Sequence, residues 1–176
     1  CAVYADSAAF GLCLCDISTG EVYATSFPAG AEALDHLENE LGRFHPAEAV
    51  LSDGAFQLDG LVPFLRERLE CMCENGGEDR FQLDRALAAL TACGLWGDED
   101  ELEQDDSAKQ LCLRASGALA AYLAETQKTD LSHLGPLALE GEERYMELDL
   151  TARQTLELTA TMRGKEKKGS LLWVLD

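Results

Sequence analysis

At 176 residues, with 33 Asp+Glu against 14 Lys+Arg and a net charge of -19, the chain has room for one domain of ordinary size plus an appendage. A surface this acidic repels a phosphate backbone, so tight nucleic-acid binding by these residues alone is excluded from the expectations. No stretch approaches the ~18 consecutive apolar residues of a membrane span, and no secretory leader pattern opens the chain.

Three strands are predicted first: CAVYAD (residues 1–6), FGLCLCD (10–16) and EVYATSF (21–27), rich in Val, Tyr, Phe and Cys and separated by turn residues such as Ser18, Thr19 and Gly20. Such short connections give an antiparallel meander. Pro28 and Gly30 break the third strand. A helix is then expected over residues 31–44, with Leu34, Leu37, Leu41 and Phe44 as its apolar stripe and Pro46 just past its end. AVLSD (49–53) reads as a buried strand, GLVPFLRERL (60–69) as a helix and ECMCE (70–74) as a further strand. Strands alternating with helices pair in parallel through right-handed crossovers. The fold class expected from this order is α/β: a ribonuclease-H-like mixed sheet, three antiparallel strands plus parallel ones, flanked by helices.

After Asn75-Gly76-Gly77, FQLDRALAAL (81–90) reads as a short helix. WGDEDELEQDD (96–106) holds seven acids in eleven residues and no period, the mark of a self-repelling loop. A long helix is predicted over 107–127, kept slim by Gly117, Ala118, Ala120 and Ala121 so that it can approach a sheet or helix closely. Residues 129–135 read as a linker. PLALE and RYMELD follow as two short strands, then a helix from Leu150 to about Met162 with Asp149 as N-cap. The basic turn RGKEKKG leads into SLLWVL, an apolar run expected to leave an exposed patch or to drive self-association. Domains are expected at 1–128 and 129–176. The opening at Cys1 and the stop after SLLWVL suggest an internal piece of a longer chain.

Several residues invite chemistry. Asp6, Asp16 and Asp53, on or beside three strands, are the candidate ligands of a metal-dependent nuclease, because enzymes of this fold hold two divalent ions with clustered acids. Against this, strand one has no acid in its middle, and Asp16 opens a turn where Asp commonly bonds its own backbone. The seven cysteines include two C-x-C pairs, Cys13 with Cys15 and Cys71 with Cys73, which together would supply four thiolates to zinc. The C-x-x-C spacing of zinc knuckles is absent, so buried free thiols in a reducing cytosol are expected instead. GKEKKGS (164–170) has the Lys before the second Gly, the wrong order for a phosphate loop. His36, His45 and His133 are scattered and read as surface or capping residues.

The stretches GLCLCDISTGEVYATSF, ETQKTDLSHL, YMELD and RGKEKKGSLLWVLD, in that order, resemble the bacterial MutS family of mismatch-repair proteins over nearly the whole chain. The family reads like GLA-x-x-DISTGEF-x-AT across the first of them, and the acid-rich loop 98–106 departs from its pattern. The resemblance implies the ribonuclease-H-like connector domain followed by the start of the core (lever) domain, with the fold present but no catalysis. It implies a module that joins mismatch-binding and core domains and docks a MutL-type protein, with Phe81, Arg85, Ala88 and Ala89 at the matching docking positions. It further implies no cofactor and no metal in these residues. ATP and Mg would be bound by the parent beyond the C-terminal end, and mismatched DNA would be met only through the full-length parent, a cytoplasmic homodimer.

Overall fold

The computed structural model describes residues 1–7, 9–97, 106–127, 131, 133–139, 155–157, 168, 171 and 173. The chain divides into two compact units, Cys1–Glu142 and Glu143–Asp176. The first carries every strand and long helix described below. The predictions for RYMELD, the 150–162 helix, nearly all of RGKEKKG and the acidic stretch 98–105 fall outside the described residues. Of the C-terminal run, Leu171 and Trp173 are exposed.

The meander forms as its turn residues require. Strand β1 (Ala2–Asp6) pairs antiparallel with β2 (Ala9–Asp16), and β2 with β3 (Glu21–Phe27). Asp16 makes the second turn: its Oδ1 accepts from Ser18 N–H at 2.8 Å and Ser18 Oγ at 2.6 Å. Gly20, at φ 79, takes the left-handed position that a side chain would resist. Helix α1 (Ala33–Phe44) ends at His45 in the left-handed conformation, its N–H bonded to Leu41 O at 2.9 Å, so His45 is a C-cap. Within the predicted stripe, Leu37 and Leu41 are fully buried, whereas Phe44 stays 42% exposed beside Tyr23.

Strand β4 (Glu48–Leu51) joins β1 in parallel, and β5 (Met72–Asn75) joins β4 in parallel. Between them, β4 stops at Leu51, two residues before the predicted end, and Ser52 follows. Its Oγ accepts from Ala55 N–H at 3.2 Å and from Ala5 N–H at 3.1 Å, capping the short helix α2 (Asp53–Phe56). Asp53 is therefore the first residue of a helix, not the last of a strand. The helix predicted at 60–69 starts as α3 (Leu61–Pro63), where Pro is tolerated because first-turn N–H groups have no helical partner. It then widens into a π-helical turn, Phe64–Arg68, with Leu69 N–H reaching Phe64 O.

The sheet order is β5-β4-β1-β2-β3-β6, where β6 (Leu137–Leu139) pairs in parallel with β3. This is the ribonuclease-H-like mixed sheet, with one strand added at the meander's edge. PLALE is a strand as expected, and its partner is β3.

Helix α5 (Ser107–Gln127) lies across β1, β2 and β3 on one face of the sheet. Asp106 begins it, its Oδ1 accepting from Lys109 N–H at 2.9 Å. The helix is apolar or small nearly all round, as a buried helix must be. Cys112, Leu113, Ala115, Ser116, Ala118, Leu119, Ala120 and Leu123 are all buried. The Ser116 hydroxyl is satisfied by donating to Cys112 O at 2.8 Å. A Cβ on Gly11 would lie 2.1 Å from Leu111 O, so the backbones of β2 and α5 touch where glycine allows it. Val3, Leu12 and Leu51, fully buried, point to the opposite face of the sheet, the side on which α1 packs.

Candidate partner-docking surface

Helix α4 (Leu83–Ala92) packs on α5 rather than on the sheet. It is seated by what precedes it. A 3-10 turn, Asp79–Phe81, drives Phe81 into the core, where the ring is fully buried and stacks on Tyr4 at 5.9 Å between centroids. Arg114 of α5 fastens this plug, donating Nη1 to Phe81 O at 3.0 Å while its guanidinium covers the Tyr4 ring at 5.2 Å. Arg80 reaches the other way, to Glu125 Oε2 at 3.0 Å. Gln82 is extended and makes no side-chain cap, so the helix restarts after Phe81.

The inner face of α4 holds Ala86 and Leu90, both fully buried. At the crossing, a Cβ on Gly117 would lie 2.2 Å from Ala86 Cα. The slim stretch expected of the long helix thus has a definite use: it lets α4 sit against α5 almost backbone to backbone. The outer face presents Asp84, Arg85, Ala88, Thr91 and Ala92, all exposed. Thr91 returns its hydroxyl to Leu87 O at 2.9 Å and so offers little polar character. The one ion pair on this side, Arg85 to Asp79 at 3.4 Å, is open to solvent and weak.

The four residues singled out from sequence therefore separate. Arg85 and Ala88 stand on the open face. Ala89 is half-buried and packs against the core. Phe81 is not on α4 and has no exposed surface, so it can seat α4 but cannot touch a partner. Asp84, Thr91 and Ala92, not singled out, share the outer face with Ala88, and their spacing around it is the signal that would have found them.

The candidate nuclease acids do not converge. In the β1–β2 register, Ala2 lies opposite Cys13 and Asp6 opposite Ala9, which puts Asp16 seven rows from Asp6. That is about 23 Å along the strands, whereas paired catalytic ions lie about 4 Å apart. Asp53 follows Ser52, whose Oγ accepts from Ala5 N–H, which puts it at the Asp6 end. Asp16 is engaged by its own turn, and the Ser18 hydroxyl, followed by the Ser18 N–H, holds its carboxyl below the usual range.

The two C-x-C pairs are placed differently: Cys73, in β5, lies on the opposite face of the sheet from Cys13 and Cys15, and Cys71 precedes the strand. Cys13 and Cys15 pack with the α5 core, while Cys73 pairs with Ala49, whose neighbour Val50 belongs to that core. They cannot form one four-thiolate site, and no metal-ligating cluster occurs among the described residues. Burial pushes the Cys13 thiol up to about 12, and those of Cys71 and Cys112 to about 11. These are neutral packing groups. His36 faces Glu32 at 3.8 Å, and His133 places Nε2 3.2 Å from Ile17 O. Lys168 of GKEKKGS is exposed. Among the described residues no helix is long and apolar enough to cross a membrane.

Comparison with known proteins gives a consistent result. The family described as MutS domain II matches residues 1–135. A DNA mismatch repair protein MutS of Acetivibrio thermocellus is 34% identical over 174 residues, 99% of this chain and 19% of the relative. One of Ruminiclostridium cellulolyticum is 33% identical over 174 residues, 99% of this chain and 19% of the relative. One of Staphylococcus epidermidis is 33% identical over 167 residues, 95% of this chain and 16% of the relative. The chain thus spans under a fifth of the length of these three relatives.

Proposed function

The chain belongs to the MutS family and carries its domain II, and from that premise we propose that it is a non-catalytic connector, joining mismatch-binding and core domains and docking a MutL-type repair partner through the outer face of α4. The observation that carries the docking assignment is the build of that helix. Its inner side is pinned by Gly117 against Ala86 and by the buried Phe81, while Ala88 and Ala92 leave the middle of its outer side low, with the charges of Asp84 and Arg85 kept to its first turn. A rigid seat lowers the ordering cost of association, and small side chains let a partner helix or strand approach closely.

The same reading places mismatched DNA, ATP and Mg with the full-length parent, a cytoplasmic homodimer whose ATP site lies outside these residues. The net charge of -19 supports the exclusion of direct DNA binding. The test is Ala88→Glu in the full-length parent, read as recruitment of the MutL-type partner to mismatched DNA. Recruitment should fall at least about tenfold, the equivalent of ~1.4 kcal/mol, with mismatch binding unchanged. Ala89→Glu is the harsher variant, because Ala89 is half-buried and the charge would also strain the α4 seat. Unchanged recruitment by Ala88→Glu would end the docking assignment.

A further inference from the structure

The turn DISTG does more than close a hairpin. The chain leaving α5 returns to the sheet there and is fastened at four points. Leu131 is buried in the core beneath α5. Gly135 N–H donates to Gly20 O at 2.7 Å. His133 Nε2 lies 3.2 Å from Ile17 O. Residues Leu137 to Leu139 then pair with β3, Val22 opposite Leu137 and Ala24 opposite Leu139. Gly20 makes the approach possible, since a Cβ at this buried, left-handed position would lie 2.3 Å from His133 O.

From these contacts we infer that Leu131 and residues 133–139 form a releasable strap, latched by the 16–20 turn onto the open edge of the meander, which holds or frees the downstream segment without unfolding the sheet. The two sides of the latch differ in how deeply they are held. In β2, residues 10–14 are all buried, and the strand is paired on both sides. In β6 only Leu137 is half-buried, Ala138 and Leu139 are exposed, and among the described residues no second strand pairs with it. A segment with few apolar contacts at a sheet edge opens locally at a free energy below that of the whole domain. Four local fastenings, three of them to one turn and its strand, make the opening a single event.

The functional consequence, a junction that can be held or freed, rests on the connector reading. The test does not, because it needs no partner. Hydrogen exchange of the 176-residue chain should show the amides of Leu134 and Gly135, and those β6 amides that bond β3, protected, yet exchanging at least about tenfold faster than those of β2. Leu131→Ala, which removes a buried side chain without touching the turn, should speed the strap amides at least about tenfold and leave β1, β2 and α5 still exchanging more slowly than the strap. Gly20→Ala should do the same from the latch side, while Gly135→Ala, whose Cβ would sit an ordinary 3.4 Å from Gly20 O, should not. Strap amides with no protection in the unaltered chain, or strap and β2 opening together in Leu131→Ala, would overturn the inference. Loss of recruitment in Ala88→Glu bears on docking alone.

Discussion

Helices α4 and α5 lie against each other, and they answer opposite demands. Helix α5 meets the sheet on one side and α4 on the other, so its middle keeps little surface of its own: Leu113, Ala115 and Ala118 have no exposure at all. Helix α4 buries only Ala86 and Leu90 and leaves Asp84, Ala88, Thr91 and Ala92 to solvent. Small residues occur in both, for different reasons. In α5, Gly117 removes volume so that backbones can touch; in α4, Ala88 and Ala92 lower an outer face that stays exposed. A glycine or alanine is thus informative only once its face is known.

The comparison is broken most severely by removing what both helices lean on. Phe81→Ala should cost about 3–5 kcal/mol, read as a lower urea midpoint, because the ring fills the space between Tyr4 and the helix pair. Gly117→Ala comes next. In an unobstructed helix the change would stabilise by ~0.5–1 kcal/mol. Here the added carbon meets backbone at 2.2 Å, so the sign reverses and a loss of about 1–3 kcal/mol is expected. Ser52→Ala, at the end of β4, should cost about 1–2 kcal/mol by orphaning the N–H groups of Ala5 and Ala55.

Asp16→Asn should have the smallest effect, and it is distinguished by its pH dependence. The Asp16 carboxyl is held below its ordinary value of 3.8 in the folded chain. Its contribution is therefore complete above that value and fades as pH falls through the lower folded pKa. Urea midpoints of the variant and the original chain should differ above pH 4 and converge below it.

Much of the scaffold was legible in the sequence because its signals are local. DISTG with alternating apolar strands marks a hairpin, and Leu37 and Leu41 mark the buried side of α1. The slim stretch around Gly117 announced a close approach to a sheet or helix, and α4 makes that approach. What stayed hidden depends on distant partners. DGAF is too short to show a period, so α2 appears only through Ser52 reaching Ala5. PLALE has the composition of a strand, but nothing near it names β3, more than a hundred residues earlier, as its neighbour. Phe81 was misplaced for a related reason: it begins the run FQLDRALAAL, and only the extended Gln82 separates it from the helix it adjoins. The outer face of α4 was half legible, since Arg85 and Ala88 stand on it, while Ala89 is turned partly inward.

The most direct test of the account is a hydrogen-exchange footprint of the full-length parent with and without its MutL-type partner in the mismatch-bound state. Slowed exchange centred on residues 84–92, with α5 unaffected, is the predicted result. Partner binding that leaves those amides unchanged, with protection elsewhere in the chain, would contradict it.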